Sequence, residues 1–277
     1  MTGPNTPSLP LDLGGAPVAL HPLVVGYEPI PHAGSVHGGD PARFLLEPVT
    51  ATAVEFPQGW VLLDSGFNVA LARDEDRRAR LLNYENYTPV LPPGDPLWDA
   101  VERAGLRRDE LVACAVSHAH VDHTGGVPTL PPGVAVILQR REWEWVRTGV
   151  GREEAVVNSD LADAAGQVVV IDGDTPLADG LMALDTSGHT PGHQSFLITL
   201  ASGRRVALAC DAADLHENVA ERIRCGWVVG EDGAARARDA INRLADLADA
   251  GVEVWPGHDP EWEPWAATIR GERVVVR

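Results

Sequence analysis

The stretch Leu111-Val112-Ala113-Cys114-Ala115-Val116-Ser117-His118-Ala119-His120-Val121-Asp122-His123 decides how this chain reads. Its first seven residues form an apolar run of strand length, and that run opens directly into three imidazoles and a carboxylate. A loop leaving a strand can turn alternate side chains to one side. His118 and His120 can therefore face one metal ion together, while Asp122 and His123 lie further round the turn. Two neighbouring metals suit this spacing better than one. Imidazole nitrogen and carboxylate oxygen without thiolate suit Zn²⁺ first, and also admit Mn²⁺, Fe²⁺ or Co²⁺. A turn of hydrogen-bonded histidines is the bland alternative, and the density of the cluster argues against it.

Working outward, three more ligand-type residues each follow an apolar run. His189, in Ser187-Gly188-His189-Thr190-Pro191-Gly192-His193, comes after Leu181 to Leu184; Asp211 after Val206 to Cys210; His258 after Val252 to Trp255. Taken singly, a strand-end Asp is more often a cap and a lone His an ordinary side chain. Beside the cluster they become candidate ligands. Upstream, Trp60 to Leu63 ends in Asp64-Ser65-Gly66, which places Asp64 at a strand end.

Further strands are expected at Val18 to Val25, Thr50 to Val54, Val134 to Leu138, Val168 to Ile171 and Phe196 to Leu200. Exposed or amphipathic helices are expected at 73–82, at 97–104 before Gly105, and at 234–250 before Gly251. Strands then helices, repeated once, fit an α/β fold: an αββα sandwich of two mixed sheets with helices on the outer faces. No linker divides the chain, so residues 1–277 read as one domain, with 1–15 as a Pro/Gly-rich N-terminal arm.

The chain has 277 residues, and 22 Lys plus Arg against 40 Asp plus Glu give a net charge of −18. That field disfavours nucleic acid as a partner. All 22 basic residues are Arg, which excludes Schiff-base and Walker-type lysine chemistry. No apolar run approaches the roughly 20 residues of a membrane helix. With no basic leader and no paired cysteines, the expectation is a cytoplasmic protein, monomeric or homodimeric, acting on a small molecule without membrane contact. Cys114, Cys210 and Cys225 are expected to be buried thiols.

The ordered set His118, His120, Asp122, His123, His189, Asp211 and His258 resembles the metallo-β-lactamase superfamily. Within it, the segment 188–193 and a bridging Asp211 look most like the N-acyl-homoserine lactonase branch. The resemblance implies that His118, His120 and His189 hold one metal, that Asp122, His123 and His258 hold the other, and that Asp211 bridges them. It also implies that Asp64 supports the metal loop. Those lactonases carry a Tyr three residues after the bridging Asp, where this chain has Asp214. The added helical domain of glyoxalase II is not expected, because little chain follows His258.

Two metals about 3.5–4 Å apart share a water and lower its pKa, and the lactonase resemblance implies that the resulting metal-bound hydroxide opens a small lactone. Asp122 is the candidate to carry the proton to the leaving oxygen, and Asp214 to steer a polar substrate group or cap a helix near Leu215. Beside cationic metals, Asp214 is expected to be ionised. Phe67 is a candidate pocket wall, and Trp143 and Trp145 can overhang the site or pack a helix. His193 reads equally as a supporting hydrogen-bond partner or an exposed residue. Other hydrolases of esters, thioesters or amides fit the same ligands. An iron-dependent oxidoreductase also uses this scaffold, but the full two-metal set counts against a single iron.

Overall fold

Alternate residues of the central strands enter different apolar layers. Val61 and Leu63 join one layer, while Trp60 and Leu62 join another; Ala113 and Ala115 separate from Cys114 and Val116 in the same way. Strands buried on both faces need cover on both faces, and this requirement generates the four-layer stack. The computed structural model describes residues 8–81, 88–162, 164 and 167–277.

The first sheet runs β1 (Ala19–Pro31), β2 (Phe44–Phe56), β3 (Gly59–Leu63), β4 (Leu111–Ala115), β5 (Ala135–Gln139) and β6 (Val168–Ile171), in that spatial order. The β1–β2 and β2–β3 pairs are antiparallel and the rest parallel, so the sheet is mixed. The second sheet has β7 (Thr175–Ala178), β8 (Leu181–Asp185), β9 (Gln194–Thr199), β10 (Arg205–Leu208) and β11 (Glu253–Trp255), in the order 11-10-9-8-7, with only β10–β11 parallel. The inter-sheet layer includes Leu20, Val54, Ile137, Phe196, Ile198 and Trp255. Helix Pro96–Ala104 covers the first sheet through Leu97, Trp98 and Val101, and helix Gly233–Asp249 covers the second through Ala240, Ile241 and Leu244. The fold class is the αββα sandwich expected from the sequence.

Several elements differ from expectation for identifiable reasons. β1 and β2 are each 13 residues long, well beyond 18–25 and 50–54. Pro29, Pro31 and Pro48 hide their length, because proline demotes a strand reading. β1 is an edge strand, and the Pro48 end of β2 pairs only with β1, so the missing N–H groups leave no ladder incomplete. β7 was not expected; it too is an edge strand and contains Pro176. The helix expected at 73–82 runs Glu75–Leu81, parted by the extended Asp74 from a helix Val69–Arg73 that was not expected; Leu82 lies outside the described residues. The strand expected through Cys210 stops at Leu208, and Cys210 enters a 3-10 turn. Of the arm, residues 8–15 are described: Leu11 bridges Ala178, and Leu11 and Leu13 are buried. All three cysteines are free and buried.

Candidate metal centre

Four ligand-bearing loops leave the carboxyl ends of β4, β8, β10 and β11, so the strand directions carry residues distant in sequence to one edge of the sandwich. Below that edge, Gln194 at the start of β9 ties the sheets together: its N–H donates to Ser117 O at 2.9 Å and its side-chain amide to Val116 O at 2.8 Å.

His118, His120, His189 and Asp211 bring ligand atoms within 4.8 Å of one another, and so do Asp122, His123 and His258. Asp211 lies between the two sets. Its Oδ2 is 3.3 Å from His189 Nε2 and 3.7 Å from His118 Nε2, while its Oδ1 is 3.0 Å from His258 Nε2 and 3.2 Å from His123 Nε2. His189 Nε2 faces His120 Nδ1 at 3.0 Å, and His123 Nε2 is 2.9 Å from Asp122 Oδ2. All seven residues are buried.

The other edge of most rings is held. His123 Nδ1 meets Asp64 Oδ2 at 2.9 Å, and Asp64 Oδ1 accepts the Ser117 N–H at 2.6 Å. His258 Nδ1 meets Pro48 O at 3.0 Å, His189 Nδ1 meets Trp227 O at 3.2 Å, and His118 Nδ1 meets Ser117 Oγ at 3.0 Å. Such partners orient a ring and leave the opposite nitrogen available. Two non-glycine residues at the centre have left-handed backbones, Asp64 at φ 59° and Cys210 at φ 48°. Gly257 allows the His258 loop to lie over Cys210, whose carbonyl oxygen would be 2.7 Å from a Cβ there.

Among the described residues, His118 Nε2 and His120 Nε2 are buried without a hydrogen-bond partner. Burying unsatisfied polar nitrogens is costly, and a shared cation satisfies them. The donor set, imidazole and carboxylate only, fits divalent metal ions. Burial pushes His120 down to about 3 and also lowers His118 and His189, leaving neutral imidazoles, the form that coordinates metal. Burial pushes Asp211 up, but the charges of His123 and His258 outweigh it and hold the carboxyl well below its ordinary range. Around His123 and His258, burial is likewise outweighed by neighbouring carboxylates, led by Asp122 for the first and Asp211 for the second, and both are raised.

The remaining candidates fall in different places. Asp214 is buried, with ligand-type atoms close to those of Asp211 and His258, and its backbone carbonyl accepts the His258 N–H at 2.8 Å. It caps no helix; Leu215 is the cap residue of His216–Glu221. Burial, then the Asp211 charge, raises the Asp214 carboxyl well above its ordinary value, whereas the expectation of an ionised carboxylate concerns a site that holds cations. Phe67 is 4% exposed, packed in the core with its ring against Gly26, so it is a packing residue rather than an open wall. Trp143 and Trp145 both pack partly on that core, and the Trp145 ring is 6.4 Å from His120. His193 is wholly buried; its Nε2 accepts the Asp211 N–H at 3.1 Å and its Nδ1 meets Thr186 Oγ1 at 2.9 Å. His216 is exposed and stacks on Trp262.

Sequence reasoning missed three groups. Trp227, 43% exposed, stands 5.7 Å from His120. Glu47 is buried near His258 and accepts from Ser35 Oγ at 2.5 Å. Glu142, on helix Arg140–Arg147, is wholly buried and reaches the loops of His118 and His189. None lies in a local motif. A charged residue on a short helix gives no sign that it points inward.

Two mixed sheets between helices, with His and Asp clusters at one edge, define an αββα sandwich with a candidate metal centre. Residues 45–270 match the metallo-beta-lactamase superfamily, and the chain belongs to it. Within that class the chain is similar to the N-acyl homoserine lactonase of Bacillus cereus, 29% identical over 224 residues that cover 80% of this chain and 86% of the relative. It is also 27% identical to the N-acyl homoserine lactonase AttM of Agrobacterium fabrum over 230 residues, 79% of this chain and 84% of that one. A B. thuringiensis AiiA variant with N-decanoyl-L-homoserine bound at its active site matches with a TM-score of 0.77 and 25% identity, covering 90% of this chain and 96% of that one. An N-acyl homoserine lactone hydrolase with N-hexanoyl-L-homoserine at its catalytic metal center matches at 0.76 and 26%, with the same coverage. Superfamily membership and the two clusters together suggest a dinuclear metal site.

Proposed function

We propose that this chain is a single-domain, dinuclear metal-dependent lactonase that opens N-acyl-homoserine-lactone-like substrates. The observation that carries the reading is Asp211, one carboxylate with an oxygen turned to each of two buried ligand sets. The lactonase relatives, similar along about four-fifths of the chain, support the same substrate class. His118, His120 and His189 would hold one ion, Asp122, His123 and His258 the other, with Asp211 shared and Zn²⁺ the first choice. Such ions polarise an ester carbonyl and bring a water to neutral pKa.

The chain's own groups then do the rest. Asp122 turns Oδ2 toward His123 Nε2 and His258 Nε2, at 2.9 and 3.9 Å, which leaves Oδ1 to take the proton of the attacking water and pass it to the ring oxygen as the ester bond breaks. Asp214, in place of the family Tyr, orients a polar group of the substrate. Trp227 and Trp145, with rings 5.7 and 6.4 Å from that of His120, offer an apolar wall for an acyl chain and shed water from it. Asp214 also keeps open a hydrolase of another ester, because a carboxyl and a phenol present different donors.

Elemental analysis of the purified protein, combined with proton-release assays over lactones, linear esters, thioesters and β-lactams, tests the proposal. Two metal ions per chain and turnover led by acyl-homoserine lactones are expected. One iron with oxygen uptake, or hydrolysis of β-lactams alone, would sink it.

A further inference from the structure

We infer that Glu142 is a positioning residue for the metal centre, the group that registers the His118–His120 loop against the His189 loop. The inference rests on the dinuclear reading above. Glu142 Oε1 accepts the N–H of Ala119, the residue between His118 and His120, at 2.8 Å. Its Oε2 accepts the Thr190 hydroxyl at 2.9 Å and the Gly192 N–H at 2.8 Å, both beside His189. One carboxylate thus clasps the two loops that supply the first ligand set.

Helix packing alone would be served by an apolar residue. A carboxylate buried with no ion pair among the described residues is costly, and burial pushes Glu142 up to about 7 against the pull of three hydrogen bonds. What it does that a hydrocarbon cannot is accept three donors on two atoms. Gly192 completes the fit: a Cβ there would stand 2.2 Å from Glu142 N and 2.6 Å from Glu142 Cβ. The neighbouring Arg141 adds a second clasp on the same loop, from Nη2 to Asp185 Oδ2 at 2.6 Å and to Ser187 Oγ at 3.3 Å.

The consequence is asymmetric. His123 and His258 of the other set are oriented by Asp64 and by the Pro48 carbonyl, neither of which touches Glu142. Weakening the clasp loosens the His118, His120 and His189 set and spares its neighbour. Glu142→Gln preserves shape, but its amide NH₂ must face the N–H of either Ala119 or Gly192, leaving that donor unpaired.

The full-length wild type, Glu142→Gln and Thr190→Val are stripped with chelator and titrated with Zn²⁺ against a chromophoric competitor, with circular dichroism as the check on folding. The wild type is expected to take two ions. Glu142→Gln should hold one as tightly as wild type and the second about 10- to 100-fold more weakly, with a native spectrum. Thr190→Val, which removes one of the three bonds, should fall between. A Glu142→Gln protein that binds both ions like wild type, or weakens both equally, overturns the inference. If Glu142→Gln does not fold, unchanged affinities in Thr190→Val overturn it and a selective loss supports it. A wild type that takes up no metal overturns the dinuclear reading and the inference with it.

Discussion

Asp211 is the residue on which the centre balances, because its two oxygens serve different ligand sets. Asp211→Ala should lower both metal content and activity, and elemental analysis showing two ions retained would refute its bridging role. A second residue governs pH behaviour. Asp160 is wholly buried, accepts from Asn68 Nδ2 at 2.7 Å through Oδ1, and has no hydrogen-bond partner for Oδ2 among the described residues; burial raises it to about 7. Between about pH 4 and 7 the folded chain therefore holds a proton that the unfolded chain has released. Asp160 thus favours folding at acid pH and loses that contribution as pH rises to 7. Asp160→Asn does not titrate, so its stability relative to wild type should climb by a few kcal/mol across that window and level off above it. Urea denaturation at a series of pH values measures this, and a pH-independent difference would show that Asp160 is ionised throughout.

Among elements, the segment between helices His216–Glu221 and Gly233–Asp249 has two tasks. The carbonyl of Trp227 orients His189, and its indole lies against His120. The segment is itself held by the turn after β1, since the Trp227 N–H donates to Gly34 O at 3.0 Å, and Gly226 packs so closely that a Cβ would be 2.0 Å from Ala33 O. Trp227→Ala keeps the carbonyl and removes the ring. Metal content should stay at the wild-type value, while the preference in kcat/KM for a ten-carbon over a four-carbon acyl chain should fall about tenfold, roughly the value of two methylenes at ~0.8 kcal/mol each. Equal losses for both chain lengths would mean that the indole does not contact the acyl group.

At the scale of the whole molecule, the sandwich edge brings together loops from both sheets, so metal binding and folding stability are linked. Ions that bind the folded chain alone stabilise it by about 4 kcal/mol per site at a thousandfold excess over Kd. Removing them with chelator should lower the melting midpoint by more than about 10 °C. A midpoint unmoved by chelator, measured by scanning calorimetry, would argue that the buried histidines hold no ion. No helix among the described residues is long and apolar enough to cross a membrane.

How much of this was legible in sequence varies with the distance between interacting residues. His118, His120, Asp122 and His123 are adjacent along the chain, and a strand running into a turn already brings them to one place, so the sequence by itself determined the chemistry of the centre. The continuous apolar runs of β3, β4 and β5 likewise carry the layered architecture, since a strand apolar on both sides must be covered on both faces. The prolines of β1 and β2 concealed their length, because whether a missing N–H matters depends on which neighbour a strand has. Glu142, Asp160 and Trp227 act through partners brought together by packing, and Phe67 turned inward for the same reason. Only the tertiary structure decided these, because burial and close approach are set by the meeting of both sheets and their helices, and a local pattern carries no record of that meeting.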